Sequence, residues 1–403
     1  MSDSAKSVTY ASVFDTSRQQ PAPILLLTEV FPPQHGGSGR WFYEVYSRLP
    51  QRSVRVVAGR HPGAEDFDAT SALATQRLEI KMADWGICNA RSLRQYWSVF
   101  RSLRRIVRQH SVSAIHVGRI LPEGWWALML RRLHGIPYCL YIHGEELNYA
   151  RFSRELRFMM RRVLRGAHLV IANSRNTRRL VVDFAPSVAD RIEVLHPGVD
   201  TTRFAPRHVA AADTSCHRRP VLLTVGRLQE RKGHDTVIRA LPRLVSKFPS
   251  LVYRIVGDGS RRPYLESLVA ELEMASHVEF LGELDDHAMV RHYQTADLFV
   301  LANREVDGDI EGFGIVLLEA QACGCPVVAG KSGGTAETLI EDVTGILVEC
   351  TSWEPLATRV ERILSDDGVR RQMSARAREW VVQNFDWNAL TQRAQSIFSR
   401  CKR

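Results

Sequence analysis

From one end to the other, this chain alternates short apolar runs with helical patterns, and that alternation constrains the fold more than any other feature. Apolar runs near 23–28 (PILLLT), 53–58, 113–117, 137–142 and 168–173 read as strands. Helical patterns lie between them, near 39–49, 91–110, 122–134 and 152–165. A strand near 191–195 ends at His196-Pro197-Gly198. The pattern restarts at PVLLTVG (220–226), and strands follow near 251–256, 277–281, 297–301, 326–329 and 345–348. The tail from Asp367 to Arg403 reads as helical, with a break around Asn384–Asp386. Strands that alternate with helices build βαβ units and parallel sheets. The expected class is therefore α/β, with two open Rossmann-like sheets in series. Ligands in such sheets sit at the carboxyl ends of the strands, which would face each other across a central cleft.

The 403 residues suit such a pair of domains. The divisions expected are a flexible tail over 1–20, a first Rossmann-like domain over 21–204 and a polar, alanine-rich linker over 205–219. A second Rossmann-like domain would span 220–385, and the helix 386–403 would pack back on the first. No tandem repeat and no low-complexity tract interrupts this plan.

Composition narrows the class. Hydrophobic residues make up 45% and charged residues 24%, which suits a globular protein with a full core. The first twenty residues are polar and lack the apolar run that export needs. The apolar stretches fall short of the roughly 20 residues that span a bilayer. The seven cysteines show no zinc spacing; Cys323-Gly324-Cys325 is neither a redox C-x-x-C nor a metal knuckle. Reduced thiols in a cytoplasmic protein are the expectation.

The net charge of +10 favours an anionic partner: a nucleotide, a nucleic acid or an acidic membrane surface. Residues 91–108 carry six Arg and no acid, and residues 151–165 carry six Arg and one Glu. In the first stretch Leu93, Tyr96, Trp97, Phe100, Leu103 and Val107 recur at helical spacing, with the arginines largely elsewhere. A solvated basic face and a surface for anionic lipid both fit. A nucleic-acid-binding role has the charge alone in its favour, since zinc spacing, an RNP-type aromatic pattern and a basic terminal tail are all missing.

Four segments carry the chemistry. PPQHGGSG (32–39) lies between a strand and a helix, where Gly36, Gly37 and Gly39 let backbone approach a ligand and the helix start favours an anion. It is neither a Walker loop nor a G-x-G-x-x-G fingerprint, and a plain tight turn also fits. VGRLQERKG (225–233) follows another strand; there Arg227 and Lys232, next to Gly233, could grip a diphosphate. In DGDIEGFGIVLLEAQACGCPVVAG (307–330), seven residues separate Glu311 from Glu319. A helix opening at Phe313 would put Glu319 about two turns in, on the face that Glu311 approaches, while Gly312 and Gly314 free backbone amides for a phosphate. In YIHGEE (141–146), His143 stands at a strand's carboxyl end. Asp307-Gly308-Asp309 spells D-x-D, a pattern that can hold a metal; it is discounted here because the Arg–Lys pair already supplies diphosphate charge.

Taken together, FPPQHGG, HGEE, HPGVDTTRF, VGRLQERKG, EGFGIVLLEAQACGCPVVAG and SGGTAETL resemble the family-four retaining glycosyltransferases of GT-B architecture. Within that family the chain is most similar to the GDP-mannose-dependent phosphatidylinositol mannosyltransferases. The resemblance implies hexosyl transfer from a nucleotide-sugar, with GDP-mannose as the first donor and UDP-sugars as the alternative, to a lipid-linked or saccharide acceptor. It implies a first domain on the acceptor side and a second on the donor side. It also implies that no cofactor and no metal take part and that nucleic acid is not a partner. The setting implied is the cytoplasm, at the inner face of the cytoplasmic membrane, with an anionic membrane surface as a partner. Residue by residue, Gly36 and Gly37 would lie against donor phosphate and sugar, and His143 would bond the sugar O6 hydroxyl. Arg227 and Lys232, beside Gly233, would hold the diphosphate; Glu311 would bond sugar hydroxyls. The Gly312 loop and the amides of Phe313, Gly314 and Ile315 would contact sugar and phosphate, Glu319 the ribose, and the loop Leu284–Asp286 the base. A related enzyme such as a sugar-nucleotide epimerase or a sucrose-phosphate-type synthase is the neighbouring reading, and the E-x7-E spacing argues against the epimerase.

Overall fold

The computed structural model describes residues 22–34, 36–50, 52–207 and 219–401. The expected tail over 1–20, most of the expected linker over 205–219, and residues 402–403 lie outside the described residues. The first sheet contains β1 (Ile24–Thr28), β2 (Val54–Gly59), β3 (Ala74–Leu78), β4 (Ala114–Val117), β5 (Tyr138–Ile142), β6 (Leu169–Ala172) and β7 (Ile192–Val194). The second contains β8 (Val221–Val225), β9 (Val252–Val256), β10 (Val278–Gly282), β11 (Leu298–Leu301), β12 (Val327–Gly330) and β13 (Gly345–Val348). Every strand pairing within them is parallel. The orders are β3-β2-β1-β4-β5-β6-β7 and β10-β9-β8-β11-β12-β13. In both, the order in which strands are added reverses beside the first strand, between β1 and β4 and between β8 and β11, and that switch point opens a crevice at the strands' carboxyl ends.

Period-two alternation sorts the side chains of β1 into two cores. Leu25 and Leu27 join one buried cluster, with Val99, Leu103, Trp126 and Met160 from covering helices. Ile24 and Leu26 join the other, with Trp41 and Tyr46 from the helix Gly37–Ser47. The second cluster also takes Trp387, Leu390, Ala394, Ile397 and Phe398 from the last helix, Trp387–Phe398. The C-terminal helix thus completes the core of the first sheet, with Tyr46 and Phe398 stacked at 5.5 Å. Asp386 makes this crossing possible. It ends the helix Asp367–Phe385, and its side chain caps the next helix through Asn388 N at 2.9 Å. It also accepts from Thr201 Oγ1 at 2.6 Å, while Val199 N donates to Phe385 O at 2.9 Å. Gly198 faces this junction, where a Cβ would come within 2.6 Å of Phe385 O and Leu390 Cδ1.

Residues 60–90, for which the sequence pattern predicts no element, contain an insert, the helix Ala64–Thr70 and the edge strand β3, between β2 and the helix Ala90–His110. Arg77 of β3 holds both carboxylate oxygens of Asp68, at 2.8 and 2.7 Å, and donates to Pro32 O at 2.5 Å. It thereby ties the insert to the loop after β1.

Candidate active site

Both crevices open toward the same place, and the first contact across it joins two helix starts. The helix Gly37–Ser47 begins directly after Gly36, without a side-chain cap and without an acid in its first turn. The helix Ile315–Ala322 begins after Gly314, again with neither. Uncompensated first turns leave N–H groups and positive dipole ends for an anion. The two starts face each other: a Cβ on Gly37 would lie 3.1 Å from Ile315 Cδ1.

The expected helix start at Phe313 is corrected by two residues. Gly314 takes φ 94°, a left-handed conformation that glycine tolerates, and the helix runs from Ile315. Phe313 lies before this left-handed residue and so outside the helix, with its ring buried in the second domain's core and stacked on His196 at 5.2 Å. Glu319 consequently lies about one turn into the helix, not two.

Glu319 is buried and held on both oxygens. Oε2 accepts from Tyr293 Oη at 2.8 Å, and Oε1 accepts from Arg40 Nη1 of the first domain at 3.0 Å. A carboxylate has about four acceptor positions, so two remain for a ligand hydroxyl.

Glu311 is buried beside two cations. Oε2 accepts from Lys232 Nζ at 2.5 Å and from Arg231 Nη1 at 2.8 Å. Burial alone would raise its pKa, but Lys232 and Arg231 outweigh it and hold the carboxyl below its ordinary range. Oε1 receives no hydrogen bond from the described residues. Lys232 is thus engaged with Glu311, and the partner beside it is Arg231 rather than Arg227. Arg227 follows β8 at the switch point of the second sheet and is exposed. Gly233, with φ 70°, lets the short turn Glu230–Lys232 pass against Ala302 O of β11's end, where no Cβ fits.

His143 ends the cleft strand β5 as expected. Its Nε2 lies 2.9 Å from Gly118 O at the end of β4. A carbonyl can only accept, so Nε2 carries the proton and Nδ1 is left as an acceptor in the neutral ring. Trp41 and Phe42 hold the ring edge-on, at 5.8 and 5.9 Å. Gly312 arrives from the second domain against His143 O: a Cβ there would lie 2.7 Å from that oxygen and 2.9 Å from Asn173 Nδ2. His143, Gly37, Glu311, Gly312 and Ile315 therefore surround one cleft.

The Leu284–Asp286 loop stands at its edge. Asp285 caps the helix Asp286–Thr295 through Ala288 N at 2.8 Å, Asp286 pairs with Arg203, and Leu284 packs on the second domain's core. In the D-x-D, Asp309 Oδ2 lies 3.1 Å from Arg231 Nε, an ion pair without hydrogen-bond alignment, and Asp307 is exposed. No group of three or more His, Cys, Asp or Glu converges among the described residues.

Comparison with known proteins identifies the family. Residues 35–203 match the glycosyltransferase family 4 model, and residues 212–380 match that of glycosyl transferases group 1. A GDP-mannose-dependent alpha-(1-6)-phosphatidylinositol monomannoside mannosyltransferase of Mycolicibacterium smegmatis is 33% identical over 93% of this chain and 98% of its own. Its namesake in Mycobacterium tuberculosis is 32% identical over 91% and 95%. The chain belongs to the group 1, family 4 glycosyltransferases. Anabaena HepE, solved in complex with UDP, superposes with a TM-score of 0.77 at 20% identity, covering 94% of this chain and 99% of that one, and shares the fold. Among the described residues, no helix of this glycosyltransferase is long and apolar enough to cross a membrane.

Four side chains at the cleft of this glycosyltransferase were not foreseen from sequence. Arg231 adjoins Lys232 in the chain, and the basic run RKG was its only signal. Arg40 and Tyr293 reach Glu319 from positions 279 and 26 residues away, and spacing cannot show that. Glu337 comes from the matched SGGTAETL segment without a role. It crosses the cleft to accept from Arg175 N at 2.8 Å, Asn176 N at 3.1 Å and His196 Nε2 at 2.9 Å.

Proposed function

We propose that this glycosyltransferase moves mannose from GDP-mannose, with retention and without a metal ion, to an inositol-bearing phospholipid. The observation that carries the reading is the 33% identity, across nearly the full length of both chains, to a mannosyltransferase named for that donor and acceptor. The site's chemistry supports it. The C1–phosphate bond breaks, a bond from C1 to the acceptor oxygen forms on the same face, and the leaving diphosphate takes the acceptor's proton. Negative charge gathers on the diphosphate as it leaves. Arg227 and Lys232, with the amides at Gly37 and at Gly314–Ile315, would stabilise that charge from fixed positions. Lys232 would exchange part of its contact with Glu311 for phosphate. Glu311 Oε1 would accept from the sugar hydroxyls, His143 Nδ1 from the O6 hydroxyl, and Glu319 from the ribose. The Leu284–Asp286 loop would meet the base. An acceptor carried on a lipid requires the enzyme to work at a bilayer surface.

A donor panel tests the reading. The purified chain is incubated with GDP-mannose, UDP-glucose and UDP-N-acetylglucosamine in turn, with phosphatidylinositol monomannoside, and release of nucleoside diphosphate is followed. GDP-mannose is expected to give the fastest release with a matching mannolipid. Faster release from a UDP-sugar with this acceptor present would overturn the donor assignment.

A further inference from the structure

The first sheet has a switch-point crevice of its own, between β1 and β4, and the donor's contacts leave its floor unused. Glu29 follows β1 and Arg119 follows β4, and they meet there, Arg119 Nη1 lying 3.5 Å from Glu29 Oε2. Arg119 comes directly after Gly118, whose carbonyl holds His143 Nε2, so the crevice adjoins His143. Beneath them Glu123 is 1% exposed; its Oε1 accepts from Glu29 N at 2.9 Å, and its Oε2 meets no donor among the described residues. Glu29 Oε1 meets none there either. Carboxylate oxygens without donors call for a ligand that brings hydroxyl hydrogens.

An aromatic wall stands beside these charges. Arg119 Cζ lies over the Trp85 ring at 5.8 Å, and Trp85 meets Tyr149 edge-on at 4.9 Å. The loop that carries Trp85 is fastened from several sides. Tyr96 Oη donates to Trp85 O at 2.8 Å, Gly86 N to Asp84 Oδ1 at 2.9 Å, and Cys88 N to Glu155 Oε1 at 2.7 Å. A Cβ on Gly86 would come within 2.7 Å of Glu155 Oε2. Tyr149 arrives through the turn Glu145–Asn148 after His143 and is 53% exposed, which core packing does not require. The crevice is also negative. Burial alone would lower the Arg119 pKa, but Glu123, Glu29, Glu146 and Glu145 outweigh it. Burial pushes Glu123 up to about 7, and with Glu123 set aside three carboxylates still face one guanidinium.

We propose that this crevice selects the acceptor by charge: it takes an uncharged, polyhydroxylated six-membered ring and rejects one that carries a phosphomonoester. The ring's CH face stacks on Trp85 and Tyr149, its hydroxyls donate to Glu29 Oε1, and Arg119 donates to its oxygens. A phosphomonoester on the ring brings a further charge of about −1.5 to −2 against surplus carboxylates and is shut out. The phosphodiester of a lipid acceptor then lies outside the crevice. That the bound ring is the acceptor rests on the proposed transfer; the preference for an uncharged ring rests on the crevice alone.

Saturation-transfer NMR on the full chain with GDP bound reads ring binding without turnover. Methyl α-mannopyranoside and myo-inositol supply the two sources of an uncharged ring, and inositol 1-phosphate supplies the charged one. At low salt at least one uncharged ring is expected to bind about tenfold or more tightly than inositol 1-phosphate, and the better of the two names the acceptor's outer unit. Trp85→Ala is expected to weaken that binding roughly 3–10-fold. Tyr149→Ala, which removes a half-exposed side chain and leaves the core intact, is expected to do the same. Glu29→Gln is expected to weaken the uncharged ring roughly 10–100-fold and to abolish its advantage over inositol 1-phosphate. GDP affinity, the control for folding, is expected to be kept in all three variants. Wild-type binding of inositol 1-phosphate as tight as that of both uncharged rings would overturn the proposal. So would uncharged-ring binding untouched in both aromatic variants. Ring binding lost in these variants of an enzyme found to transfer no mannose would sustain the crevice's preference and remove only the proposed function.

Discussion

Arg40 of the first domain donates to Glu319 of the second at 3.0 Å, so the carboxylate assigned to the donor's ribose is also a bridge across the cleft. Nucleotide binding and domain closure then share one side chain. Glu319→Ala is expected to weaken binding of GDP by roughly 1.5–3 kcal/mol, the scale of a hydrogen bond to a charged group. Donor KM should rise with kcat nearly kept, because the ribose is unchanged as the glycosidic bond breaks. Arg40→Ala should weaken GDP less, and the double variant should fall short of the sum of the two. Calorimetry on the three variants checks this; strict additivity would separate the bridge from the nucleotide.

Glu311 behaves differently because its partners are different. Removing Lys232 leaves a buried carboxylate with Arg231 alone and takes a cation from the departing diphosphate. Lys232→Ala is expected to cost about 10²–10³ in kcat. Glu311→Gln keeps the shape and removes the charge, and it should lower kcat while barely changing GDP binding. A Glu311→Gln enzyme that turns over normally, or that loses GDP affinity more than Glu319→Ala does, would exchange the two assignments.

Glu337 closes the cleft from the other side. Ser174 caps the helix Arg175–Phe184 through Thr177 N at 3.0 Å, and Glu337 takes the first two N–H groups that Ser174 cannot reach. Burial would raise the Glu337 pKa, but the hydrogen bond from His196 and those from the two amides hold it below its ordinary value. Glu337→Ala is expected to open the two domains, giving a larger radius of gyration by small-angle scattering and about 10–100-fold lower kcat/KM. An unchanged radius would mean that the latch is not needed for closure.

Below neutral pH, stability should fall through buried histidine. His116 lies in the first domain's core, 2.6 Å from Tyr46 Oη, and burial lowers its pKa from 6.5 to about 3. Between those values the unfolded chain binds more protons than the folded one, so this contribution is full above pH 6.5 and is lost as pH falls toward 3. His116→Gln should flatten the decline, and thermal melts of both proteins across that window check it. Parallel curves would mean that His116 is already charged in the fold.

The strands were legible because most are apolar runs bounded by turn residues; PILLLT and PVLLTVG are buried along their whole length in β1 and β8. β3 was not, because ATQRL is a polar edge strand with little buried on either side. Its place is set by Arg77 and Asp68, which local pattern does not reveal. The helix break at Asp386 could be read from its sequence, whereas the helix start at Ile315 was misplaced because it is set by the left-handed backbone of Gly314. In the site, glycines and end-of-strand residues gave the loops. The pairing within them did not follow: Glu311 took Lys232 and Arg231, and Glu319 took Arg40 and Tyr293. Tertiary packing makes those choices.

The most direct test of the account is transfer itself, without metal, read at the product. The purified chain, GDP-mannose and phosphatidylinositol monomannoside are combined in excess EDTA, and the new linkage is examined by NMR. The account predicts one mannose added per GDP released, with the α configuration of the donor kept. A β-linked product, or transfer that stops in EDTA and returns with Mn²⁺ or Mg²⁺, would contradict it.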